Sequence, residues 1–234
     1  MIPQMILWFL LASQSLDDPS VYAKRFERTY RQKHSLKVTF LETYTDNGRM
    51  SRKEAGVAYF LRPGKMRWEY AAPEKNLFIV DGKNAWFYVP EDHTVTKVPA
   101  RQSDDWRTSF ALLARDMKLS RLCKRVEFAE QERPQRGENV VLSCVVRESD
   151  SSPAGSSAKS KTSEPPGETS TALLEVDRNS GELVRVIFHD PGGIEIQFQF
   201  SGWSFDQPMD PALFRFVPPL GVAIVEGYAA QPRP

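Results

Sequence analysis

Three histidines, two cysteines and two acidic pairs are the residues of this chain whose types could do chemistry. His34, His93 and His189 fall on separate predicted elements and show no metal-ligand spacing. Neither Cys123 nor Cys144 has a C-x-x-C partner. Asp17-Asp18 and Asp104-Asp105 stand where helices are predicted to begin, so helix N-termini account for them better than acid–base work does. There is no G-x-S-x-G elbow, no P-loop and no G-x-G-x-x-G, and Gly192-Gly193 reads as a hairpin turn. The expectation is a protein that is not an enzyme and takes no metal and no cofactor. The cysteines leave two readings open. They flank a predicted hairpin and would form one disulfide in an oxidising compartment, or they are two unpaired buried thiols.

What the sequence offers instead is apolar surface. Residues 58–90 contain four short apolar runs separated by Pro63-Gly64, Ala72-Pro73-Glu74 and Asp81-Gly82. Asp-Gly between apolar runs is a strong hairpin signal. Met66, Trp68 and Tyr70 alternate with Lys65, Arg67 and Glu69, the period of a half-buried strand. Residues 77–80 and 85–89 are apolar on both faces. An antiparallel meander needs one apolar face, so a helix, a partner or a ligand must cover the second.

Composition narrows the classes. At 234 residues the chain makes one or two domains, and 41% hydrophobic content supports a sizeable core. Lys+Arg 31 against Asp+Glu 30 leaves a net charge of +1, without the basic footprint of a nucleic-acid binder. The apolar run at residues 5–12 is too short to span a bilayer and fits the core of a signal peptide over residues 1–15. It lacks a Lys or Arg before it, so a misplaced start or a disordered tail is the competing reading. Residues 149–170 are rich in Ser, Pro and Gly without an apolar run, and read as a disordered insert within a single domain over residues 16–234.

The elements follow in order. Asp18-Pro19 caps a helix to about Lys33, with Tyr22, Phe26 and Tyr30 every four residues along one face. Strands are expected at residues 36–44, 53–61, four more to residue 98, 126–129, 140–147, 172–177, 182–189 and 193–203, with a closing segment at 214–226. A second helical stretch begins at Ser103, where Trp106, Phe110 and Leu113 make an apolar stripe, and a short helix is expected over 116–123. In the last long strand Ile194, Ile196, Phe198 and Phe200 alternate with polar residues. The whole is mainly β (α+β): about eleven strands in one sheet, with helices at two places.

Three motifs in order resemble a known family. Arg62-Pro63 through Pro73, Ile79 through Pro90, and Phe214 through Val222 look like LolA, the outer-membrane lipoprotein carrier family. The resemblance spans most of the chain, and relatives of the LolB and RseB kinds share the fold. It implies an unclosed, highly curved antiparallel sheet, a half-barrel of about eleven strands, with a lid of short helices over an apolar cavity. It implies acylated lipoprotein as cargo, an inner-membrane lipoprotein-releasing ABC transporter and an outer-membrane receptor as partners, and a soluble monomer in the periplasm without stable membrane insertion.

By the same resemblance Arg62 is a lid latch that bonds to lid carbonyls. Met66, Trp68, Tyr70, Phe78, Trp86, Tyr88, Phe198 and Phe200 are expected to line the acyl-chain cavity. Tyr22, Phe26, Trp106, Phe110 and Leu113 are expected on the inner face of the lid. Each of these apolar residues is equally explained by plain core packing. The alternatives are a carrier or receptor for another envelope lipid, an RseB-like envelope-stress module, for which the chain looks too short, and a lipid hydrolase, for which no nucleophile–base pair is visible.

Overall fold

The computed structural model describes residues 18–103, 110, 113–115, 118–147, 171–189 and 193–226. The expected signal peptide, the insert at 149–170 and Trp106 lie outside the described residues. Helix α1 is Pro19–Arg31, capped by Asp18, whose carboxylate accepts from Ser20 N. Its buried residues are Tyr22, Ala23, Phe26 and Tyr30, the face set by the four-residue spacing. A second helix, α2, is the single turn Leu119–Leu122.

Twelve strands form one sheet. They are β1 Ser35–Asp46, β2 Arg49–Leu61, β3 Lys65–Ala72, β4 Leu77–Val80, β5 Asn84–Val89, β6 Thr94–Pro99, β7 Cys123–Phe128, β8 Asn139–Val146, β9 Thr171–Asp177, β10 Leu183–His189, β11 Ile194–Phe205 and β12 Ala223–Glu226. The order β12-β6-β5-β4-β3-β2-β1-β11-β10-β9-β8-β7 leaves two edges unpaired, so the sheet does not close. Two meanders meet where β1 pairs β11. All pairings are antiparallel except β12 on β6. That short C-terminal strand is the twelfth, one beyond the count from sequence.

Ring contacts show that the sheet curls. Trp68 on β3 and Phe198 on β11 are separated by two intervening strands, and strands in a sheet lie about 4.8 Å apart. Their ring centroids nevertheless lie 5.4 Å apart. The inner face of β2 makes this close approach feasible. Between the Phe40, Trp68 and Tyr70 rings its residues are Gly56, paired to Phe40 and Tyr70, and the fully buried Ala58, with Phe60 following toward its end. A Cβ on Gly56 would stand 2.0 Å from Glu69 O and 2.9 Å from the Phe40 ring. Phe40 therefore meets Trp68 at 4.8 Å and Tyr70 at 5.0 Å over a strand that offers almost no side chain.

The second apolar face of β4 and β5 is covered by the chain itself. In register, Ile79 opposes Trp86 and Leu77 opposes Tyr88, all on the face opposite Trp68. After a 3-10 turn at Pro211–Phe214, the chain lays the buried Phe214 and then Phe216 over this surface. Phe216 packs 5.5 Å from Trp86 and 5.6 Å from Tyr88. Arg67 Nη1 donates to Leu213 O at 2.9 Å and pins the segment. On the other meander the outer face carries a buried ion pair beside Val141 and Ile187. Glu175 accepts from Arg185, Asn139 and the backbone of Gln135, so both buried charges are paired and bonded.

Candidate functional site

Helix α1 crosses the inner face of the second meander. Its Tyr30 is fully buried, and its hydroxyl oxygen accepts from Leu183 N at 2.8 Å. The Tyr30 ring packs edge-on to Trp203, and Tyr22 reaches Phe128. Burial raises the Tyr30 phenol well above its ordinary 10.0, against the opposing hydrogen bond from Leu183. The neighbouring stretch brings Phe110 and Leu113 to the same face, both buried.

Between these elements and the sheet lies an apolar cavity of about 30 Å³. Phe26, Phe110, Leu113, Leu119 and Leu122 line it from the helical side, and Ala172, Leu174, Leu183, Val186 and Phe188 from β9 and β10. That volume is about the share of one water molecule in the liquid. No acyl chain fits until something moves.

Of the residues expected to line a cavity, none from the sheet borders this space. Met66, Trp68, Phe78, Phe198 and Phe200 lie in a filled aromatic core on the inner face. Tyr70 joins them, and its hydroxyl donates to Glu42 in the buried interior. Trp86 and Tyr88 are corrected outright. They sit on the opposite face under Phe216, because a one-residue step along a strand reverses the side. Phe87 takes the inner position in their place. Among the expected lid residues, Tyr22, Phe26, Phe110 and Leu113 do face inward. The residues that sequence reasoning missed are those of α2, β9 and β10. Alternation in β9 and β10 would have marked Ala172, Leu174, Val186 and Phe188. Leu183 breaks the alternation through the register shift between Leu183 and Arg185.

Phe110 connects the cavity with the core. Its ring lies 5.3 Å from Trp68, 5.1 Å from Phe198, 5.5 Å from Phe200 and 5.9 Å from Phe188. One side chain from outside the sheet thus plugs the space over the aromatic floor.

Arg62, just past the end of β2, bonds three backbone carbonyls on two elements. Its Nη2 donates to Tyr30 O at 2.7 Å and its Nε to Lys33 O at 2.5 Å, at the C-terminal end of α1. Its Nη1 donates to Arg115 O. Two residues on, Gly64 N donates to Ala114 O at 2.7 Å. Gly64 has φ +65°, and a Cβ there would stand 2.9 Å from Arg115 Nε. The Arg62-Pro63-Gly64 turn therefore ties the sheet to both covering elements.

Cys123 and Cys144 are joined by a disulfide in this structure. The bridge joins β7 to β8 beside α2, with both cysteines buried.

Residues 31–143 match the family model described as outer membrane lipoprotein carrier protein LolA. A protein of Nitrosospira multiformis named outer-membrane lipoprotein carrier protein is 28% identical over 225 residues, covering 94% of this chain and 95% of its own. A protein of the same name from Chromobacterium violaceum is 28% identical over 194 residues, covering 82% of each. Among solved structures, an uncharacterized conserved protein from Thermus thermophilus shares the fold, with TM-score 0.51 and 13% identity over 89% of this chain and 98% of that one.

Proposed function

We propose that the chain is a member of the LolA family and a periplasmic carrier that covers the acyl chains of lipoproteins. It takes them from the inner-membrane lipoprotein-releasing ABC transporter and passes them to an outer-membrane receptor. The observation that carries the reading is the apolar cavity held between the sheet and covering elements that Arg62 ties down.

Burial is worth about 0.8 kcal/mol per methylene. A chain of roughly fifteen carbons is therefore worth on the order of 12 kcal/mol against water. Such cargo does not cross an aqueous space uncovered, and it does not leave its cover into water. Loading and unloading are then direct, mouth to mouth with membrane-bound partners. Cargo enters as Phe110 withdraws and the space over Trp68 joins the cavity beneath α1. In the empty protein the Phe110 ring covers the aromatic floor, which would otherwise be an exposed apolar patch prone to association. The bonds of Arg62 favour this covered form, so opening costs free energy and lowers the carrier's hold on its cargo. A downstream receptor profits from that bias.

Mass spectrometry of the protein purified from its native envelope with complexes intact tests the proposal. Acylated lipoproteins should co-purify, and be lost when Phe110 is replaced by a charged residue. A free lipid in their place would move the function to lipid transport. An empty protein bound to a soluble partner would favour a regulatory role.

A further inference from the structure

Of the three described tryptophans, two have their indole N–H bonded. Trp86 Nε1 donates to Asp81 at 2.9 Å and Trp203 Nε1 to Leu183 O at 2.8 Å. Trp68 Nε1 is buried and has no partner among the described residues. Trp68 is fully buried, faces inward, and is ringed by Phe40, Phe60, Phe110, Phe198 and Phe200. A buried tryptophan usually finds a hydrogen-bond acceptor, and leaving that bond unmade is costly. A phenylalanine would fill an aromatic floor without that cost, so the indole is unexplained by packing. The ring that stands between it and the cavity is Phe110, the one contact of the five that does not come from the sheet.

We propose that Trp68 Nε1 is a binding donor for a carbonyl oxygen, the ester or amide carbonyl at the head of an acyl chain. This rests on the lipid-carrier reading and adds a polar selectivity to it. An acyl chain that takes the place of Phe110 lies against the aromatic floor, and its carbonyl satisfies the indole. The hydrogen bond exists only in the loaded protein. It therefore favours acyl compounds over alkyl compounds of the same length, and it gives the cavity a fixed depth at which the chain's head is held.

The test uses two lipids on the unaltered protein: 1-palmitoylglycerol, an ester, and 1-hexadecylglycerol, its ether counterpart without the carbonyl. The ester should bind about fivefold more tightly, the worth of one net hydrogen bond. The Trp68 indole N–H resonance should shift downfield with the ester and not with the ether. In Trp68→Phe the ratio of ester to ether affinity should fall to about one, whatever the absolute affinities become. Equal binding of both lipids to the unaltered protein, with no indole shift, would overturn the proposal and leave the carrier reading standing. Failure of both lipids to bind would overturn the carrier reading and this proposal with it.

Discussion

Three residues hold the sheet to its cover, each by a different physical means. Arg62 gathers three carbonyls with one guanidinium, and carbonyls at the end of a helix are the groups most in need of donors. Gly64 permits a left-handed turn at close range to Arg115. Tyr30 locks α1 to β10 through its hydroxyl. Arg62→Leu should shift the cover toward opening by on the order of 2 kcal/mol, the scale of a hydrogen bond to a charged group. The variant should hold cargo more tightly and pass it on poorly, read as slowed transfer to acceptor membranes; normal transfer would remove the latch role. Tyr30 makes a separate prediction for alkaline pH. Its folded phenol titrates well above 10.0, whereas the unfolded one ionises near that value. Its contribution is thus complete below about pH 10 and is lost as pH rises beyond it toward the folded value. Urea midpoints measured from pH 7 to pH 11.5 should fall on the alkaline side, and less steeply in Tyr30→Phe.

At the scale of elements, the covering segment and the disulfide-bonded edge carry the next two expectations. Phe110→Ala removes a buried ring and should cost about 3 kcal/mol. It also opens space over Trp68, so an apolar fluorescent probe should bind better than to the unaltered protein. Unchanged probe binding would mean that the ring is core and not a plug. The disulfide spans 21 residues and staples β7, an edge strand, to β8. Closing a loop of that size stabilises by about 3 kcal/mol in the chain-entropy account. Adding reductant should lower the melting temperature by roughly 10 °C for a domain this large. An unmoved melting temperature would show that β7 and α2 are held by packing alone.

At the scale of the whole molecule, one chain supplies the core on the inner face and the cover on the outer face. The C-terminal segment is a structural clasp, and Phe214 is its anchor at 1% exposure. Phe214→Ala should cost about 3–5 kcal/mol, seen as a lower urea midpoint, and should expose Ile79, Trp86 and Tyr88 to a surface dye. The segment also answers the question raised by two apolar faces on β4 and β5. Part of that surplus belongs to the chain itself, and only the inner face belongs to the candidate site.

The order and approximate place of the strands and of α1 were legible because period and punctuation are local, although β2 begins at Arg49 rather than 53 and β7 at Cys123 rather than 126. Asp18-Pro19 starts α1, Asp81-Gly82 turns β4 into β5, and the alternation of Met66, Trp68 and Tyr70 fixes which side of β3 is buried. The resemblance to LolA rested on three ordered motifs, and the first two fall within the residues 31–143 that match the family model. Which face of β5 looks inward was not, because Ala85 to Val89 are apolar on both sides and only pairing with β4 assigns the side. The location of the cavity was not legible either. It lies over β9 and β10, since the small residues of β2 let the first meander curl until its own rings fill the space above it. The sequence alone determined the strands, the amphipathic helix and the arginine worth watching. Tertiary structure alone decided what meets across the sheet, where room is left, and which buried indole goes unbonded, because those depend on packing between residues far apart in the chain.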